Sequence, residues 1–382
     1  MEKGVKMQKK ELKDINFNDI KNLSKQEIDI LNSIKERIEK GESAYKKGWS
    51  DLALSNINFF TRKNYNGLNA LGLAMIREKN LYNSISWLTF NQMNKINEKL
   101  EEENKILRPE ERKTKIHLKK GSKGAKISFP IIYDKKNKKY LTYEEFDNIS
   151  DSEKNKLISD RDIVISKKEY TVFNGDCFDN LDLSYEKEFL EIQEKSKIEF
   201  KDKNAAIKLC KSMNVDLSFR NQNLAFYLPK YDKIVLPSEE QFYSNNFFKR
   251  TFFHELSHST GNEKRLNRDL SGSFGSEKYA FEEIVAETSG IFLSKKFDYF
   301  YDENINISAE YLNNWSSHLI NNPKKIIEAI KKGNEAKEYI EKHFDELEKN
   351  LERNVIIEEV ETAKEEISTE EINYEEDFEM EM

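Results

Sequence analysis

Chemistry is concentrated in one tract of this sequence, His254-Glu255-Leu256-Ser257-His258. Histidines four residues apart share one face of a helix, so both imidazoles can meet a single cation while the intervening Glu255 points at the water that cation holds. The chain has only five histidines in 382 residues. At such a content the H-E-x-x-H pattern arises by chance in roughly one chain in a hundred. Phe252, Phe253 and Leu256 supply an apolar face for burying the helix, and Gly261 stands where the helix should stop.

A hydrolytic zinc takes three protein ligands and leaves the fourth position to water. The segment Phe281-Glu282-Glu283-Ile284-Val285-Ala286-Glu287 places its carboxylates 24 to 29 residues beyond His258, a separation suited to an antiparallel neighbouring helix. Glu283 is the expected third ligand. Glu287, on the same face, is the expected acceptor for a histidine ring N–H. The spacing also fits the reverse assignment. Glu282 faces differently and is expected in solvent. With zinc bound, its water has a pKa of about 7, and Glu255 can accept the proton and pass it to a leaving group, the usual outcome being peptide hydrolysis. Histidine and carboxylate ligands accept manganese as well as zinc. Tyr279 is a candidate donor to an oxyanion. Two plainer readings compete: a zinc that only clamps the fold, and a helix whose histidines merely pack.

The elements that must hold these residues are helices predicted at about 246–261 and 277–297. Helix 201–213 and two short strand segments, VDLSFR and LAFYLPKYDKIVLP, precede them, with Pro229 to Asp232 as a turn. The second segment offers an edge strand for an extended substrate. Helices near 307–320 and 323–343 close this part. Further upstream, Ile28, Leu31, Ile34 and Ile38 recur at helical steps and predict a helix ending near Gly41. A second helix starts at about Gly67. A third follows Ser86 and Trp87 and frays into the charged stretch 98–115, which reads as an insertion. AKISFPIIYD and residues 162–173 alternate as strands do, with a polar helix at 143–158 between them. The fold class expected is α+β: a mixed α/β N-terminal domain, a mainly helical domain with a small sheet, and a disordered acidic tail.

Charge is distributed unevenly. Residues 1–175 carry 36 Lys/Arg against 26 Asp/Glu, residues 176–345 carry 24 against 29, and residues 346–382 carry 3 against 15, so +10, −5 and −12 sum to the net −7. No apolar run approaches the roughly 18 residues that span a bilayer. The N-terminal MEKGVKMQKKELKD lacks the apolar core of a signal peptide. Cys177 and Cys210 make no disulfide framework. A cytoplasmic protein without a membrane partner is the expectation.

Within the basic half, residues 112–139 hold 11 Lys/Arg against one Asp. Such a run beside aromatic residues suits a polyanion. Lys119, Lys120, Lys123 and Lys126 are candidate phosphate contacts, and Trp49, Phe59, Phe60, Tyr65 and Trp87 could stack on unpaired bases. Asn58, Asn66 and Asn69 could reach base edges or phosphates. The plainer reading is a solvated hairpin beside core aromatics.

The order of motifs resembles the ArdC-type antirestriction proteins of plasmids and phages. The N-terminal likeness lies in Asn58-Phe-Phe-Thr61, Tyr65-Asn-Gly67-Leu-Asn69, Trp87-Leu-Thr89 with Gln92, Lys120-Gly-Ser-Lys-Gly124 and Val172-Phe-Asn174. The C-terminal likeness covers Asp232-Lys-Ile-Val-Leu-Pro237, the H-E-x-x-H tract through Gly261, Arg265-Leu-Asn-Arg-Asp269, Phe274-Gly275, Tyr279 and Glu282 to Glu287. This resemblance implies an N-terminal single-stranded DNA-binding domain, a C-terminal zincin-like metallopeptidase domain, and protection of incoming mobile DNA from restriction. On this reading residues 1–26 are a flexible arm, 27–183 the DNA-binding domain, 184–345 the metallopeptidase domain and 346–382 the acidic tail. Departures from the family pattern are Asn56 where a proline is usual, Arg62 where a glycine is usual, and Asp176-Cys177-Phe178 where a glutamine is expected nearby. The alternative is a cytoplasmic metallopeptidase or effector whose first domain recognises a protein.

Overall fold

The computed structural model describes residues 15–40, 55–142, 145–146, 148–195, 200, 203–299 and 321–350. Trp49, the helix end expected at Gly41, the helix expected near 307–320 and the tail from residue 351 lie outside them. The chain forms two compact units, residues 1–198 with 294–331, and residues 199–293 with 332–382. The first mixes helices with a five-stranded sheet and the second is mainly helical around three strands, which is the α+β class expected.

In the first unit, helix α1 (Lys25–Glu39) begins at a reciprocal cap between Ser24 and Glu27. It buries Ile28, Leu31 and Ile34, the stripe its spacing predicts. Strand β1 (Ile57–Asn58), helix α2 (Gly67–Lys79) and strand β2 (Ser86–Leu88) follow. Helix α3 (Phe90–Ile106) runs well into the stretch expected to fray. Ile96 and Leu100 pack against a core of Leu88, Met93, Ile116, Cys177 and Phe178. Asn97 exchanges two hydrogen bonds with the backbone of Ile116, and Asn104 two with Lys113. Side-chain amides thus tie the charged segment back onto the helix.

After β3 (His117–Leu118) comes a long hairpin, β4 (Ala125–Asp134), β5 (Lys139–Leu141) and β6 (Ile163–Asn174), with helix α4 (Asp151–Ser159) between β5 and β6. The sheet order is β1-β2-β6-β4-β5, with β1 and β2 parallel and the other pairs antiparallel. Strand β7 (Phe178–Asp179) pairs with β3, and helix α5 (Tyr185–Lys195) follows.

In the second unit, helix α6 (Lys203–Ser212) leads into β8 (Asp216–Arg220), β9 (Phe226–Leu228) and β10 (Lys233–Pro237). Strand β10 is central, parallel to β8 and antiparallel to β9, so β9 forms one edge. The two chemical helices are α7 (Asn245–Ser259) and α8 (Glu277–Phe297). Phe248, Phe252, Phe253 and Leu256 of α7, and Ile284, Val285 and Ala286 of α8, are buried. From residue 332 on, helix α9 (323–350) belongs to this unit, and its Gly333 packs so closely on α8 that an added Cβ would lie 2.7 Å from Cβ of Thr288. Among the described residues no helix is long and apolar enough to cross a membrane.

Candidate metal centre

Helix α7 projects His254 and His258 toward α8, where Glu283 answers them. Their Nε2 atoms are 3.2 Å apart, and the Glu283 carboxylate lies 3.5 Å from each. One ligand atom from each of the three residues falls within 4.8 Å of the others, and among the described residues no other group of His, Cys, Asp or Glu does so. Two imidazoles and one carboxylate suit zinc or manganese. Glu255, on the turn between the histidines, is buried and lines the same cavity of about 320 Å³. Edge strand β9 forms one wall with Phe226 and Tyr227, and Leu270, Gly272, Lys278 and Tyr279 form another.

The far nitrogens of both rings also meet carboxylates. Nδ1 of His254 is 3.4 Å from Glu287 and Nδ1 of His258 is 3.4 Å from Glu282. Glu287 lies 3.8 Å from Arg250, and Glu282 receives two hydrogen bonds from Arg268, at 2.6 and 3.0 Å. Glu282 is therefore not in solvent as its sequence position suggested. It is 6% exposed and paired. Glu283 differs from both: among the described residues it has no Lys or Arg partner and faces the two histidines.

The electrostatics follow from that arrangement. Burial disfavours the His254 imidazolium, yet Glu283 and Glu287 outweigh it and raise its pKa well above the ordinary range. Burial works against the Glu283 carboxylate too, but His254, His258 and Tyr279 hold its pKa down at about 2. For Glu282, Arg268 and His258 overcome burial and lower the pKa. The pocket is built to hold positive charge beside Glu283, whether protons or a cation.

A polar network sits beside the cavity. Asp232, in the left-handed region at φ 49°, pairs with Arg265 and accepts from the Tyr227 hydroxyl at 2.8 Å. Arg265 also donates to the Ser259 carbonyl at 2.8 Å, linking strand β9 to the end of α7. Gly261 is needed there for space: a Cβ would meet Leu270 Cδ2 at 2.8 Å and the Arg268 guanidinium at 3.0 Å. Its φ is not positive, so close approach of the following loop, and not a left-handed cap, requires glycine.

In the first unit the candidate nucleic-acid residues divide sharply. Trp87 has no exposed surface and donates its indole N–H to Asn56 at 2.8 Å, so a base-stacking role is not open to it here. Tyr65 is 5% exposed and accepts a hydrogen bond from the amide of Asn58 at 3.2 Å. The Asn58 Oδ1 accepts from the backbone N–H groups of Phe60 and Thr61, which makes it the organiser of its own turn. Asn69 is committed to both backbone groups of Ser128. Lys119 donates to the Asp176 carbonyl and Lys126 to Thr171, at 2.9 and 2.7 Å. Lys120 and Lys123 are exposed around Gly121, whose φ is 86°. Phe129 of β4 and Tyr170 of β6, not among the candidates read from the sequence, are exposed aromatics whose rings meet edge-on at 6.1 Å, with Lys168 over Tyr170. Strand alternation marked Phe129 but not which face stayed open.

Two departures from the family pattern have structural counterparts. Asn56 supplies the acceptor for Trp87. Arg62 adopts φ 58° without being glycine, and its guanidinium lies over the rings of Tyr185 and Phe59, 3.1 and 4.5 Å from their centroids.

A His-His-Glu cluster on two packed helices beside an edge strand defines a zincin-like domain. Comparison with known families agrees: residues 204–332 match the zincin-like metallopeptidase family, and residues 24–173 match the N-terminal domain of anti-restriction factor ArdC. The chain thus carries an ArdC N-terminal domain followed by a zincin-like metallopeptidase domain. Crystal structures of the antirestriction ArdC protein from plasmid R388, metal-free and Mn(II)-bound, share its fold with a TM-score of 0.58 at 21% and 22% identity. Each match covers 84% of this chain and 98% of that one. DNA primase TraC of Escherichia coli is 26% identical over 322 residues, 81% of this chain but only 19% of TraC, so this chain spans about a fifth of that relative. An uncharacterised protein of Sinorhizobium fredii is 22% identical over 329 residues, 84% of this chain and 93% of its own length.

Proposed function

We propose that this chain is an antirestriction-type protein of a mobile element, which binds single-stranded DNA through its N-terminal domain and hydrolyses a peptide bond at the second. The convergence of His254, His258 and Glu283 around one point, with Glu255 beside it, carries the reading. Those three residues would hold a cation, zinc or manganese, the latter bound in the R388 ArdC structure. When bound, the cation supplies Lewis acidity and lowers the pKa of its water to about 7.

The chain's own groups do the rest. Glu255 accepts a proton at its carboxylate from the water that attacks the carbonyl carbon, and hands it to the leaving amine as the C–N bond breaks. Glu287 accepts from Nδ1 of His254 and keeps Nε2 turned inward. Strand β9, at the sheet edge, pairs with an extended substrate backbone along the cavity. Tyr279, which lines the same cavity, donates to the carbonyl oxygen as charge develops there.

For DNA, the ArdC-type match and the exposed Lys120, Lys123, Phe129 and Tyr170 support a sequence-tolerant single-strand site in which lysines meet phosphates and rings meet bases. The test is anisotropy of a labelled single strand and its duplex at two salt concentrations. The reading expects preference for the single strand and a log–log salt slope of about −0.7 per phosphate contacted. Absence of any DNA binding would favour the alternative in which the first domain recognises a protein.

A further inference from the structure

Glu282 touches a ligand of the proposed cation and yet has no part in the hydrolysis described above. Its Oε1 lies 3.4 Å from Nδ1 of His258. Arg268 grips both its oxygens, Nη2 to Oε1 at 2.6 Å and Nε to Oε2 at 3.0 Å. The guanidinium is in turn fixed by the Thr260 hydroxyl at 2.8 Å and the Ser257 carbonyl at 2.9 Å, both at the end of the helix that bears His258. Arg268 and Glu282 are 4% and 8% exposed at their side chains, so water competes little for either. Two-point arginine–carboxylate pairs set geometry as well as energy.

We infer that Glu282, locked by Arg268, is a positioning residue: it holds the His258 ring with Nδ1–H occupied and Nε2 free for the cation, and it is itself kept from becoming a further ligand. The physical logic lies in charge and reach. Three carboxylates, Glu282, Glu283 and Glu287, crowd one helical turn and a half, and a cation would draw all of them. Arg268 neutralises Glu282 and Arg250 faces Glu287, leaving Glu283 as the carboxylate without a guanidinium partner among the described residues. The loop after α7 therefore carries part of the centre, since Arg268 comes from that loop. This inference rests on reading His254, His258 and Glu283 as ligands.

The test uses the full-length chain. Zinc affinity is measured by competition with a chromophoric chelator for the wild type, Glu282→Gln, Glu282→Ala, Arg268→Gln and the exposed control Glu277→Gln, with melting of each metal-free protein as the folding check. In parallel, solvent exchange of the His258 Nδ1–H is followed by ¹⁵N NMR in the metal-free chain. Affinity is expected to fall about 10- to 100-fold in Glu282→Ala, less in Glu282→Gln, and not in Glu277→Gln. Nδ1–H of His258 should be protected in the wild type and exchange freely in Glu282→Ala. A folded Glu282→Ala that binds zinc within about twofold of the wild type would overturn the inference. Should the wild type bind no zinc, the metal reading falls on its own, and the Nδ1–H comparison still judges Glu282: lost protection supports it, retained protection overturns it. If the alanine variant does not fold, Glu282→Gln and Arg268→Gln decide by the same two readouts.

Discussion

The hydroxyl of Ser257 donates to that of Ser289 at 2.8 Å, one residue before His258 on α7 and two after Glu287 on α8. Both side chains are fully buried. Small residues at this crossing let two helices come close enough for imidazole and carboxylate to converge. Replacing Ser289 by Leu is expected to cost about 1–3 kcal/mol through overpacking. It should also weaken zinc binding, as read by thermal melting and chelator competition. A variant that melts lower but keeps wild-type affinity would show that the crossing does not set the centre.

Glu283 and Glu287 should separate cleanly. Glu283→Gln removes the carboxylate that, among the described residues, faces the Nε2 atoms of both rings, so near-complete loss of stoichiometric zinc is expected. Glu287→Gln keeps an acceptor for His254 and should weaken binding by about 10- to 100-fold at most. Equilibrium dialysis with metal analysis reads both, and the opposite order would exchange their roles.

Glu255→Gln should leave the metal content unchanged while cleavage of a fluorescent casein substrate falls about 10²–10⁴-fold. Cleavage at the wild-type rate by a metal-loaded Gln variant would remove Glu255 from the chemistry.

The Asp232–Arg265 pair predicts a pH dependence of stability. Burial would raise the Asp232 pKa, but the hydrogen bonds and charge of Arg265 prevail and lower it. A carboxylate with a depressed folded pKa contributes stability in full above its unfolded pKa of about 3.9, and loses it as pH falls through the folded value. Asp232→Asn keeps a residue type that tolerates the left-handed backbone. The melting-temperature gap between wild type and variant should therefore be wide at neutral pH and close in strong acid. A gap that persists unchanged would point to the shape of the side chain, not its charge.

On the DNA side, stability and binding should dissociate. Trp87→Ala is expected to cost about 3–5 kcal/mol, because it empties a core site. Lys120→Glu with Lys123→Glu should leave melting unchanged while weakening single-strand binding and flattening its salt slope. Phe129→Ala or Tyr170→Ala should cost about 1–3 kcal/mol of binding if each ring stacks on a base. Anisotropy titrations at two salt concentrations distinguish these, and an unaltered slope in the double lysine variant would place the phosphate contacts elsewhere.

Features that depend on local spacing were legible in the amino-acid order. Four-residue histidine spacing put both rings on one helical face, strand alternation marked Ala125–Asp134, and a turn at Pro229 divided β9 from β10. Which neighbours meet depends on packing between distant segments. Glu282 and Glu283 are adjacent in sequence and equally acidic, yet one meets Arg268 from a loop fourteen residues earlier and the other faces the two histidines. Trp87 and Phe129 are both aromatic, yet one is sealed at 0% exposure and the other open at 38%. Residue type sets what a side chain can do. Partnership and burial arise from packing between segments distant in the chain, and spacing along one segment does not encode them.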